Sequence, residues 1–284
     1  MKKITLKSPA KINLTLDVTG RSNGYHTLKS LVASIDICDY ITVKKRTDWD
    51  IKLTTKGVDP LCENSKNNAY IAAKLFSDTF ITEGVEITIE KNIPVGAGLG
   101  GSSADTVGVL KAMKELFEVS GDITPLAEKL GSDTAFMLKG GFAVMSGRGE
   151  KVSPVKIGKT FYLIIITEDK GASSKDVYHK YDLMKKSYKP CTEKVYKAII
   201  ENDLEKFYNN AKNDLFPASS HFVPEMDFNI KLLKKAGAPL AMMTGSGSAV
   251  FGLFTDKTQR DKVYKQLKPL YNDNIFTSQT IEEY

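Results

Sequence analysis

Cysteine is scarce. The 284-residue chain has three, Cys38, Cys62 and Cys191, and no Cys-x-x-Cys pair. An odd count at wide spacing argues against a disulfide framework, and nothing in the spacing suggests a zinc site. Long apolar runs are missing too. No window reaches about 18 uninterrupted apolar residues, the length a membrane-spanning helix needs. The amino-terminal stretch MKKITLKSPAKINL is interrupted by Lys7, Lys11 and Asn13 and lacks the apolar centre of an export signal. The expectation is a cytoplasmic protein with no membrane partner. Internal repeats and low-complexity tracts are also absent.

Charge of one sign is not concentrated anywhere. Forty basic residues against 34 acidic ones leave a net charge of +6, scattered along the chain. That is too diffuse for a nucleic-acid groove, so no nucleic-acid partner is expected, but it mildly favours small anions such as nucleotides. Apolar residues at 42% and charged residues at 26% are those of an ordinary folded chain. The length suffices for two modest domains or one large one.

Period-2 alternation predicts strands at 4–7, 12–18, 28–37, 40–45 and 85–89, with a hairpin turn at Arg21-Ser22-Asn23-Gly24. Helical spacing of Ala69, Ala72, Ala73 and Phe76 predicts a helix over 67–76, and Val107, Leu110, Met113 and Phe117 predict another over 104–117. A short helix at 125–130 is followed by expected strands at 135–138 and 142–145. Residues 161–167 form a fully apolar strand run. Beyond it, helices near 174–182, 193–209 and 220–236 mix with strands near 240–244, 248–254 and 274–280. This order reads as α+β. Trp49 is expected in a loop or the core, and His179 and His221 at the surface.

The most informative stretch is Pro94-Val95-Gly96-Ala97-Gly98-Leu99-Gly100-Gly101-Ser102-Ser103-Ala104. Closely spaced glycines uncover the backbone amides and permit positive φ, so several N–H groups can converge on one anion. The helix that starts next adds unpaired N–H groups and its positive dipole end. Ser102 and Ser103 can cap that helix or donate to phosphate. A tight turn with a serine cap is one reading. A dinucleotide site is a second, since Gly96-x-Gly98-x-x-Gly101 satisfies G-x-G-x-x-G. A Walker A loop fails, because Gly158-Lys159-Thr160 has Ser153 where a glycine is required. A protein-kinase loop fails as well, with Ser103 in the place of its valine.

The whole stretch resembles the phosphate-binding motif of the GHMP kinases. Ala10-Lys11-Ile12-Asn13-Leu14 is similar to their first motif, and Thr244-Gly245-Ser246-Gly247-Ser248-Ala249 to their C-terminal glycine motif. Gly24-Tyr25-His26-Thr27-Leu28, Leu130-Gly131-Ser132-Asp133, Gly147-Arg148-Gly149-Glu150 and Asn213-Asp214-Leu215 narrow the resemblance. They point to the branch that acts on a cytidine-diphosphate-linked polyol in non-mevalonate isoprenoid synthesis. The sequence departs from that branch at Asn23, at Ala104 and at Thr134-Ala135.

The resemblance implies a two-domain α+β fold with the active site in an interdomain cleft, residues 1–155 forming the ATP-binding domain and 156–284 the second. It implies ATP as phosphoryl donor, with Mg²⁺ bridging phosphate oxygens and no protein ligand assigned to the metal. It implies Asp133 as catalytic base and Lys11 as its partner. Asn67 and residues 94–104 would bind ATP. Asn13, Tyr25, His26, Thr244 and Gly245 would bind the polyol substrate. An alcohol is a weak nucleophile, so a carboxylate must take its proton as phosphorus is approached. A nearby lysine would keep that acid ionised and neutralise the travelling phosphoryl group. Other members of the family, acting on mevalonate, homoserine or a sugar, remain open, as does a dinucleotide-dependent oxidoreductase.

Overall fold

The computed structural model describes residues 2–57, 65–184 and 189–282, so Cys62 lies outside the described residues. Contacts divide the chain into two compact units. The first takes the residues up to Ala10, Ile37–Val95 and Gly100–Lys139; the second takes Lys11–Asp36, Gly96–Leu99 and the chain from Gly140 onward. The segments of the two units alternate along the sequence. No helix among the described residues is long and apolar enough to cross a membrane.

In the first unit, strand β4 (Ile51–Lys56) lies parallel to β5 (Val85–Glu90), which runs antiparallel to residues 40–45 of β3 (Tyr25–Lys45). Strand β5 buries Val85, Ile87 and Ile89 and exposes the glutamates between and after them, the period of a sheet with one wet face. Helix α1 (Asn68–Phe80) buries Ala69, Ala72, Ala73 and Phe76, as the spacing predicted. Helices α2 (Gly101–Leu116) and α3 (Thr124–Leu130) complete that core with Val109, Leu110, Met113 and Leu126. The expected strand at 135–138 is instead part of helix α4 (Thr134–Lys139), with Ala135, Phe136 and Met137 all buried. A short apolar run buried on every side has no period to separate strand from helix. Because α2 leads into α3 and α4 and not into a parallel strand, the βαβ frame of a dinucleotide site is not formed.

In the second unit, β2 (Asp17–Ser22) forms the expected hairpin with the start of β3, turning through Asn23 (φ 51°) and Gly24 (φ 79°). Residues 28–33 of β3 pair with β6 (Phe142–Gly147), and β6 with β7 (Lys151–Val155). The apolar run becomes β8 (Tyr162–Ile166), flanked on both sides by the antiparallel strands β10 (Val250–Phe254) and β11 (Ile275–Ile281). Strand β9 (Leu240–Met243) extends the sheet beyond β10. Helix α5 (Ser174–Asp182) matches its expectation. The helix expected over 193–209 is two, α6 (Thr192–Ile200) and α7 (Leu204–Asn210), and that near 220–236 is α8 (Phe216–Phe222) and α9 (Glu225–Lys235). Asp203 and Pro224 stand at the joints as helix starters. Helix α10 (Lys257–Leu267) has no clear apolar period in the sequence, being mostly charged and polar.

One further expectation changes. The strand over 12–18 breaks: β1 (Lys3–Asn13) ends and β2 begins at Asp17. The carboxylate of Asp17 is fully buried and accepts from the amides of Cys191 and Thr192 at the start of α6. Trp49, 73% exposed, lies in a loop, one of its two expected places.

The first unit also buries an ion triad absent from the sequence reading. The Lys91 ammonium, 3% exposed, is held by Asp39 and Asp105, the latter at 2.6 Å. Asp39 also accepts from the amides of Asn92 and Ile93 at 2.6 and 2.8 Å. Burial alone would lower the Lys91 ammonium, but the two carboxylates outweigh it and hold it above its usual value. Removing the cation strands two buried carboxylates. Lys91→Met should therefore cost about 3–5 kcal/mol, read from urea unfolding at pH 8; wild-type stability in that variant would mean the triad is not desolvated as described.

Candidate active site

Within the glycine-rich turn, Ala97 and Leu99 are buried pegs at 3% and 1% exposure. The alternate residues Gly96, Gly98 and Gly100 all take positive φ, at 70°, 79° and 77°. A side chain at these three would strain the backbone. In the second unit, Ala249 N donates to Ala97 O and Lys11 N to Leu99 O, each at 3.0 Å. A Cβ on Gly98 would fall 2.5 Å from Thr244 O, and one on Gly245 (φ 58°) would fall 2.7 Å from Gly98 O. The two glycine motifs thus meet backbone to backbone.

In the first unit, Gly100 precedes α2 with no side-chain cap, and the first turn of α2 has no acidic residue. The first closing bond is Ala104 N to Gly100 O at 2.9 Å, so the amides of Gly101, Ser102 and Ser103 are the helix's unpaired donors. Two other predicted elements converge here. Asn68, the first residue of α1, donates from Nδ2 to Ser102 Oγ at 3.0 Å. Beside it, Asn67 Oδ1 accepts from Ala69 N at 2.9 Å and so caps α1. From the other direction, a Cβ on Gly131 would lie 3.6 Å from Ser103 Oγ. Two residues on, the half-buried Asp133 opens α4, its carbonyl accepting from Met137 N at 3.0 Å. Thr134 Oγ donates to Ala127 O and Gly131 O, pinning the turn that carries the acid. Pro94 and Val95 lead into the loop, Val95 55% exposed. Ala104 is buried, and its carbonyl accepts from Ser8 Oγ.

Lys11 belongs to the second unit. Although an alternating strand usually turns a lysine to solvent, Lys11 is only 4% exposed. Its Nζ donates to Asn13 Oδ1 at 2.7 Å. The same oxygen accepts from Gly245 N at 3.0 Å, while Asn13 Nδ2 donates to Ser30 Oγ at 2.7 Å and Asn13 N to Thr244 Oγ1 at 2.9 Å. Lys11, Asn13, Thr244 and Gly245 therefore form one network, with Asn13 at its centre. Asn213, inside one of the motif segments, closes the far side: its Nδ2 donates to Gly245 O at 2.8 Å and Met243 O at 3.2 Å. Nothing in the sequence marked Ser30.

Tyr25 and His26 follow the hairpin turn. Tyr25 is 57% exposed, with the Arg148 guanidinium 3.9 Å from its ring centre. The His26 ring stacks on Tyr178 with centroids 4.6 Å apart, and its Nε2 meets Asp182 Oδ1 at 2.8 Å. Arg21 also pairs with Asp182. Tyr178 and Asp182 carried no signal in the sequence reading, because α5 there shows only a charged, weakly apolar pattern. The His26–Tyr178 stack thus lies beside the Arg21–Asp182 pair, while Tyr25 carries the Arg148 guanidinium on its ring.

The chain is similar to known proteins over nearly its whole length. Residues 67–143 match the family model described as GHMP kinases N terminal domain, and 195–273 match GHMP kinases C terminal. A 4-diphosphocytidyl-2-C-methyl-D-erythritol kinase of Clostridium botulinum (strain Alaska E43 / Type E3) is 39% identical over 281 residues, covering 97% of this chain and 99% of the relative. The enzyme of that description from Clostridium tetani is 36% identical, with 97% and 99% covered. The crystal structure of a 4-(cytidine 5'-diphospho)-2C-methyl-D-erythritol kinase superposes with a TM-score of 0.82 at 28% identity, covering 97% of this chain and 98% of that one.

The Asn13 network yields a direct test. Asn13→Ala leaves a buried amide and a buried ammonium without that acceptor, and should cost about 1–3 kcal/mol in thermal or urea unfolding. A loss of only a few tenths would mean that Asn13 does not organise the network.

Proposed function

The chain belongs to the GHMP kinases, and within them to the 4-diphosphocytidyl-2-C-methyl-D-erythritol kinases, and from that premise we propose how its residues move the γ-phosphoryl group of ATP to the substrate's 2-hydroxyl. The uncapped N-terminus of α2 and the glycine turn before it receive the triphosphate. Their amides supply fixed positive dipoles that need no reorganisation when charge spreads over the transferring group. Asn67 and the residues around it, at the start of α1, take the adenosine end.

The observation that carries this reading is the approach of Gly131 to Ser103 within one unit. It brings the turn bearing Asp133 beside the open helix end, as an acid that deprotonates the acceptor hydroxyl requires. Asp133 takes the hydroxyl proton while the oxygen closes on phosphorus. Lys11, oriented through Asn13, offsets the negative charge of the acid and the phosphoryl group. Thr244 and Gly245 shape the backbone against which the polyol lies. Tyr25 and His26 hold the cytidine end, Tyr25 by its ring face and His26 by a ring nitrogen.

No group of three or more His, Cys, Asp or Glu side chains among the described residues could hold a metal ion. Mg²⁺ would enter with the nucleotide and offset phosphate charge, with no residue of this chain assigned to hold it. ATP and a phosphorylated substrate suit a cytoplasmic setting in the isoprenoid route.

Two variants test the roles. Asp133→Asn should lower kcat by about 10²–10⁴-fold in an ADP-release assay with the cytidine-linked polyol, with ATP affinity retained; unchanged turnover would remove Asp133 as base. Tyr25→Ala should raise KM for the polyol substrate about tenfold, the order of one lost base–aromatic stack, and leave the KM for ATP unchanged. Equal loss for both substrates would place Tyr25 elsewhere in the reaction.

A further inference from the structure

Asp105 sits one turn inside α2, 9% exposed at its side chain. Its Oδ2 accepts from Lys91 Nζ at 2.6 Å. Its Oδ1 is buried and has no hydrogen-bond partner. The charged groups facing it are Lys91, in the segment after β5, and Asp39, in β3. The triad lies directly beneath the helix end assigned above to phosphate. A Cβ on Gly101 would be 3.4 Å from Lys91 Nζ and 3.2 Å from Ile93 Cγ2. The first residue of α2 therefore rests on the buried ammonium.

We infer that the Asp39–Lys91–Asp105 triad is the positioning element under the nucleotide's phosphates, and that Asp105 takes up a proton from solvent when those phosphates bind. The geometry supplies the reason. With both carboxylates ionised the triad carries one net negative charge, placed under a site that must receive a polyanion. A bare buried oxygen is the costliest place to keep that charge. Protonating Asp105 at Oδ1 makes the triad neutral and leaves Lys91 wholly paired with Asp39. The direction of the free-state titration agrees. Burial pushes Asp105 up to about 7, with Asp39 adding to the rise against the pull of Lys91. Phosphate charge above it raises the value further. Binding therefore takes up a proton at pH values above the free titration point, and nucleotide affinity falls as pH rises through that window. Asp105 touches neither nucleotide nor polyol and acts through the helix end and Lys91.

This inference rests on reading the N-terminus of α2 as the phosphate site, and its test separates the two. Calorimetric titration of the full chain with ADP at pH 8, in two buffers of different ionisation enthalpy, counts the protons exchanged. The wild-type chain should take up roughly half a proton, and its ADP affinity should drop on the order of tenfold between pH 6.5 and pH 8.5. Asp105→Asn should bind ADP with almost no proton uptake and a flatter affinity profile. The same uptake in that variant, or none in a wild-type chain that binds ADP, would overturn the inference and leave the phosphate site standing. A wild-type chain that fails to bind ADP would overturn both. A second readout avoids any folding defect of the variant. Difference infrared spectra of the wild-type chain at pH 8 should gain a protonated-carboxyl band when ADP is added, and the absence of that band would also refute the proton step.

Discussion

Two backbones touching without side chains is the constraint on which the second unit's contribution rests. Gly98 and Gly245 come from glycine motifs far apart in the chain, and neither has room for a Cβ against the other's main chain. Close approach lets Lys11 N and Ala249 N hold the loop carbonyls of Leu99 and Ala97. It also sets Gly245 N and Thr244 Oγ1 against Asn13, which in turn holds the Lys11 ammonium. A methyl group at either glycine would push these groups apart together. The glycines therefore let one motif locate the other, beside the anion-binding role proposed for their amides.

The first unit solves a different problem, that of holding a helix start uncapped. Helix α2 begins on a glycine with no capping side chain, an arrangement that costs only about a few tenths of a kcal/mol relative to a capping residue and leaves its first amides unpaired. The helix is not loose for lack of a cap. Val109, Leu110 and Met113 are buried in the sheet core, and Ser8 grips the Ala104 carbonyl. The Lys91 triad carries the charge on which this helix end sits. Around that end gather the start of α1 and the Gly131–Asp133 turn, so that one helix N-terminus organises residues from three segments.

How much of this could be read beforehand depends on the residue. Elements with a clean period were legible: α1 from its alanines and Phe76, β5 from Val85, Ile87 and Ile89, the hairpin from Asn23-Gly24. Residues 135–138 were misread because so short an apolar run shows no period. The long helices were read through their joints, since Asp203 and Pro224 start helices without breaking an apolar rhythm. The candidate site was visible where its chemistry is carried by backbone. It was invisible where side chains from unrelated segments meet: Tyr178 and Asp182 against His26, Ser30 against Asn13, Asp39 and Asp105 on Lys91.

By itself, the sequence determined the family, the glycine-rich turn proposed to hold phosphate and the acid and lysine proposed for the chemistry. These are encoded locally, in glycine spacing and in short motifs whose order survives without coordinates. Only the tertiary structure decided which polar groups are buried together, that Lys11 is a held cation and not a solvated one, and that a charged triad lies under the first turn of α2. The reason is physical. Positive φ and helix starts follow from a few adjacent residues, whereas desolvation and ion pairing depend on which distant segments exclude water from the same place.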